Sequence, residues 1–97
     1  MDRPDIIDSS SPGGEEVYQE FLRQNPAGIV VNEGENGKPD LAHLAGCHFT
    51  RKISTQGKRW EKYCFASPTT FSKVLDWYRN NWPSRLRPIG CKICKPQ

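Results

Sequence analysis

Two short stretches of this chain carry side chains of the kind that bind metal ions. One is Leu41-Ala42-His43-Leu44-Ala45-Gly46-Cys47, an H-x3-C pair; the other is Ile89-Gly90-Cys91-Lys92-Ile93-Cys94-Lys95-Pro96, a C-x2-C knuckle. Together they offer three sulfurs and one imidazole. That is the ligand count of a closed tetrahedral zinc site, with no position left for water or substrate. Two residues between cysteines let the backbone curl so that both thiolates face one point. Gly90 is expected to supply a positive φ at that turn, and Lys92 and Lys95 favour the thiolate forms of Cys91 and Cys94. Redox pairs also use C-x2-C, but a second pair containing histidine points to metal. So does the difficulty of stabilising so short a chain without a staple. The expectation is that one Zn2+, held by His43, Cys47, Cys91 and Cys94, clips the last residues to the middle of the chain.

An H-x3-C pair followed far downstream by Gly90-Cys91-x2-Cys94-Lys95-Pro96 resembles the metal-binding module of the Ada type, over Leu41 to Pro96. That family contains DNA alkylation-repair proteins and small accessory domains attached to nucleases. The resemblance implies the same four ligands, separated by a strand and a helix, and a place beside DNA. The first ligand position, a methyl-accepting cysteine in the repair proteins, is His43 here, so the resemblance does not carry self-methylation with it.

The chain is 97 residues long with a net charge of +3, which hides an asymmetry. Residues 1–28 hold six acids against Arg3 and Arg23, whereas residues 29–97 hold twelve Lys/Arg against five acids. The region of the expected zinc site is thus basic, as a polyanion-binding surface would be. A low hydrophobic content of 35% and a mean hydropathy of −0.75 point to one small domain. No apolar run approaches a membrane span, and the start of the chain has no export-signal pattern. The expected location is the cytoplasm, the nucleoid or the nucleus. There, four cysteines suit metal better than disulfides.

The elements expected to position these residues make an α+β domain: two short β-hairpins, one or two helices and a C-terminal zinc knuckle, over residues 15–97. Residues 1–14, rich in Ser, Pro and Gly, read as a disordered leader. Val17, Tyr18, Phe21 and Leu22 give Glu15–Gln24 a helical apolar face. Residues 28–32 and 41–44 form the first hairpin around an Asn36-Gly37 turn. Residues 47–53 and 59–66 form the second. A helix follows, with Ser67 as N-cap, Pro68 at its first position, Phe71, Val74, Leu75 and Tyr78 as its stripe, and its end near Asn80-Asn81. Residues 86–89 lead into the knuckle as an extended segment.

Basic residues interleaved with aromatic ones suit phosphate pairing and base stacking. Arg51, Lys52, Lys58, Arg59, Trp60 and Lys62 form one such group on the second hairpin, and Trp82, Arg85 and Arg87 a second. Cys64 is either a fourth sulfur replacing His43 or, as its strand position favours, a small core residue facing the same way as Lys62. His48 points away from Cys47 and is not expected to join the site. No catalytic constellation emerges; Asp40, Glu61 and His48 are the only acid/base candidates left over. The expectation is therefore a zinc-dependent module that recognises nucleic acid, DNA first, without catalysis of its own. It would read targets or modified bases in a repair or restriction system, alongside a larger effector protein or domain and away from membranes. The alternative is a protein-interaction module that uses the first helix and exposed tryptophans.

Overall fold

In the computed structural model, which describes residues 3–51 and 59–97, the apolar run Ile29-Val30-Val31 lies at the middle of a five-stranded sheet. In chain order the elements are β1 (Asp5–Asp8), α1 (Gly14–Gln24), β2 (Ile29–Asn32), β3 (Leu41–Leu44), a 3-10 turn (His48–Arg51), β4 (Glu61–Phe65), α2 (Phe71–Asn81) and β5 (Ile89–Gly90). The strand order is β1-β4-β2-β3-β5. All neighbours are antiparallel except β3 and β5, which run parallel.

All three residues of Ile29-Val30-Val31 are buried because the sheet is covered on both faces. Ile29, Val31, Ala42, Tyr63 and Phe65 face α2 and pack with Val74 and Tyr78. Ile7, Val30 and Cys64 face the other way and pack with Tyr18 and Phe21 of α1. The result is three layers, helix, sheet and helix. Two thin cores replace the single small one that the composition suggests.

Three expectations are corrected here. The leader is not structureless along its length: Asp5–Asp8 pair with β4, and Ile7 is buried against α1. Gly14 permits this approach, since a Cβ there would lie 2.4 Å from the carbonyl oxygen of Asp8. The second hairpin does not form as expected. Residues 48–51 coil into a 3-10 turn, and β4 pairs with β1 and β2 instead; residues 52–58 of that hairpin lie outside the described residues. The second helix begins later than Ser67-Pro68, whose peptide bond is cis. Its cap is Thr70, whose hydroxyl accepts from the Lys73 N–H at 3.2 Å.

The first hairpin forms as the sequence indicates. Asn36 and Gly37 both take positive φ, 54° and 77°, at the tip of its loop. α1 ends at Gln24 as expected, but Val17 is exposed and Tyr18 and Phe21 do the packing.

Candidate metal centre

β3 and the parallel β5 bring the two Cys/His stretches together. Asp40 accepts from Ile89 N–H at 2.9 Å and Ala42 accepts from Cys91 N–H at 2.7 Å, both through their carbonyl oxygens. His43 occupies the third position of β3, and its imidazole faces the α1 layer, as Val30 and Cys64 do on neighbouring strands. A tight turn follows, in which the Cys47 N–H donates to the Leu44 carbonyl at 2.9 Å. Thr50, fully buried, sets its hydroxyl 2.7 Å from the Cys47 carbonyl and 2.9 Å from that of Ala45. Its own carbonyl accepts from the Tyr18 hydroxyl at 2.6 Å. The His-x3-Cys turn is therefore anchored from α1.

The knuckle closes through Lys95 N–H donating to the Cys91 carbonyl at 2.9 Å. The residue with positive φ is Lys95, at 47°, not Gly90, which sits in β5. The expected role of Gly90 is thereby corrected. Leu44 N–H points at Cys94 Sγ from 3.3 Å, and Ile93 N–H at Cys91 Sγ from 3.4 Å. Donors of this kind favour sulfur as thiolate.

The donor atoms of His43, Cys47, Cys91 and Cys94 all lie within 4.8 Å of one another, and His43 Nδ1 is 4.0 Å from Cys94 Sγ. A tetrahedron of metal–thiolate bonds has edges of about 3.8 Å, so the four converge on a volume that one cation can fill. Burial, with the Lys62 ammonium as a smaller contribution, holds the His43 imidazole below its ordinary pKa. The ring is thus neutral near pH 7, with a lone pair free to donate. The Cys94 N–H, ahead of an opposing effect of burial, draws the Cys91 thiol down. Burial pushes Cys94 up to about 11. Metal binding to such a set would displace thiol protons, the Cys94 proton most of all. The set can hold a metal ion, and its softness suits a thiolate-binding one.

Cys64 lies apart from this cluster. It is 1% exposed in the core beneath α1, and burial pushes its thiol up to about 12. It shares its face with Lys62, as alternation predicts. His48 is exposed, its ring centroid 4.1 Å from that of Phe49.

The expected nucleic-acid residues that the structure describes lie in different surroundings. Lys52 and Lys58, and the side chain of Arg51, lie outside the described residues. Arg59 and Arg87 are exposed. Lys62 is buried, donating to Asn32 Oδ1 at 2.7 Å with its ammonium 5.5 Å from the Tyr18 ring centroid. It is therefore not free to meet a phosphate. Trp60 packs against the α1 core and Trp82 against the α2 core, where it meets Trp77, Tyr78 and Tyr63 edge-on. The indoles are consumed as packing because each face of the sheet needs its own cover.

Arg85 is also engaged. It grips Asp40 with two nitrogens at 2.9 and 3.1 Å and lies over the rings of Tyr63 and Trp82. Asp40, 3% exposed, further accepts from the Tyr78 hydroxyl and the Gly34 N–H, each at 2.7 Å. The clasp ties the segment after α2 to the residue just before β3 and aims β5 at the centre. Asp40 is therefore a positioning residue rather than a free acid or base. Its pattern, a lone acid before a strand, gave no sequence signal for this role.

No helix among the described residues is long and apolar enough to cross a membrane. Comparison with protein-family models, with curated proteins and with solved structures finds no match, so the geometry of the four ligands is what this chain offers toward a function.

Proposed function

We propose that the chain is a zinc-stapled nucleic-acid recognition module, acting on DNA and performing no catalysis of its own. The observation that carries the reading is the convergence of His43, Cys47, Cys91 and Cys94 from two separate stretches of the chain. Three thiolates and an imidazole favour Zn2+, and four protein ligands leave it no open coordination position, so its role is structural. The resemblance of the two ligand motifs to the Ada type supports a context beside DNA. Charge supports it independently. Leu41–Trp60 and Trp77–Gln97, the stretches that contain the four Cys/His residues, hold nine Lys/Arg, of which Arg79 and Arg85 are paired with Asp76 and Asp40.

Metal analysis of the purified chain tests the first half. One equivalent of zinc is expected, lost in Cys91→Ser and His43→Ala and retained in Cys64→Ser. Equal metal content in all four proteins would refute the ligand set. For the second half, DNA affinity should fall steeply as salt rises. A flat dependence would remove the nucleic-acid reading.

One observation favours a second reading, protein interaction through the first helix. A groove of about 1220 Å³ lies between β1 and α1, bordered by Ile6, Val17, Asp5, Glu16 and Glu20. Ile6 and Val17 are both more than half exposed. The tryptophans have no part in it, being packed on the cores. A nuclease-insensitive complex with one basic partner, abolished by Val17→Glu, would favour this reading over DNA.

A further inference from the structure

The rim of the metal centre carries an exposed aromatic ring that the sequence reading passed over. Phe49 is 42% exposed, although it follows ligand Cys47 by two residues and its ring centroid lies 6.2 Å from that of ligand His43. The exposed His48 ring leans against it, centroids 4.1 Å apart and planes tilted by 37°. Ile93, between ligands Cys91 and Cys94, is 68% exposed. Lys92 and Lys95, in the same knuckle, are exposed as well.

Phe49 and Ile93 thus leave apolar surface exposed on both sides of the ligand cluster, whereas the tryptophans are half-buried against the two cores. The occupant is indicated by charge. The exposed Lys92 and Lys95, with exposed Arg59 and Arg87 on the same two stretches, repel a basic partner and attract a polyanion. A polyanion that also covers a flat ring is a nucleic-acid strand with unpaired bases.

Resting on the nucleic-acid reading above, we propose that this rim is a binding site for single-stranded DNA. Phe49, backed by His48, is the stacking platform for one unpaired base. Ile93 forms an apolar wall beside it, and Lys92 and Lys95 take flanking phosphates. The metal acts on this site only by fixing the 3-10 turn and the knuckle in place. An intact duplex offers the platform no free base face, so the site prefers single strands.

The test is binding of fluorescein-labelled oligothymidine, and of a duplex of equal length, to the metal-loaded chain and its Phe49→Ala, Phe49→Leu, Phe49→Trp and Lys92→Glu/Lys95→Glu variants. Metal content and thermal unfolding of each variant establish that it is folded. Tighter binding of the single strand is expected. Phe49→Ala should weaken it roughly 5- to 100-fold, the range of one lost base–aromatic stack. Phe49→Leu, which restores apolar bulk without a ring, should not recover it, whereas Phe49→Trp should. The double charge reversal should weaken both ligands and flatten the salt dependence. If the Phe49 variants bind oligothymidine as the parent does while the charge reversal abolishes binding, the platform is wrong and the nucleic-acid reading survives. If the parent binds neither ligand, both fall.

Discussion

At the scale of single residues, Asp40 is the buried charge that ties the segment after α2 to β3. Burial alone would raise the pKa of this carboxyl, but the Arg85 guanidinium, the Gly34 N–H and the Tyr78 hydroxyl together hold it below the ordinary carboxylate value. A folded-state pKa below the unfolded one contributes stability that is complete above the unfolded value. That contribution is lost as pH falls through the folded one. Asp40→Asn is therefore expected to cost about 1–3 kcal/mol at pH 7. The gap between variant and parent should narrow below about pH 4. Denaturant unfolding of both proteins across that range checks it, because taking the difference removes the metal's own proton dependence. Cys64 makes the opposite kind of prediction. Its thiol is pushed up to about 12 inside an apolar core, so alkylating reagents should leave it unmodified in the folded chain and modify it only in denaturant. Mass spectrometry under both conditions decides this, and modification without denaturant would contradict the burial.

At the scale of elements, the two edges of the sheet are held by different means. β5 is two residues long, and the clasp on one side and the knuckle on the other hold it in register with β3. β1 is held by its pairing with β4, by the reciprocal Ser9–Trp60 hydrogen bonds just beyond it and by the buried side chain of Ile7. Ile7 is 6% exposed and Ile6 is 52% exposed. Ile7→Ala should thus cost about 2–4 kcal/mol, while Ile6→Ala leaves the unfolding midpoint nearly unchanged. Equal effects of the two would mean that β1 does not pack as described. The sequence concealed this strand because Asp5-Ile6-Ile7-Asp8 is flanked by Ser, Pro and Gly, and its burial depends on a helix and a strand that come later. The 3-10 turn was hidden for a similar reason. His48-Phe49-Thr50 alternates as a strand would, but Thr50 bonds its own turn instead of a neighbouring strand.

At the scale of the whole molecule, the sheet is covered on both faces and the His/Cys cluster sits at one edge. On the proposed reading, a bound metal would stabilise that edge and not the cores. The two cores around Val31 and Val30 do not include His43, Cys91 or Cys94. Chelation should therefore loosen the chain from the β5 edge inward. Hydrogen exchange of the chelated protein is expected to lose protection first at Leu44, Cys91 and Lys95, whose amides bond within the centre or to its neighbours. Val30 and Val31 should hold longer. Simultaneous loss of all of them would mean that metal and core form one cooperative unit.

The His/Cys cluster was legible in the sequence because each pair is local: H-x3-C and C-x2-C preset two potential donors within one turn. The first hairpin, both helices and the alternating faces of Lys62-Tyr63-Cys64-Phe65 were legible for the same reason, since period and turn residues act over a few positions. Which aromatic rings are covered was not. Trp60, Trp82 and Lys62 look like surface recognition residues until the two faces of the sheet claim them, and no short pattern marks Phe49, which the turn leaves exposed. Burial is a property of what packs against a residue from distant parts of the chain, and no short-range pattern records it.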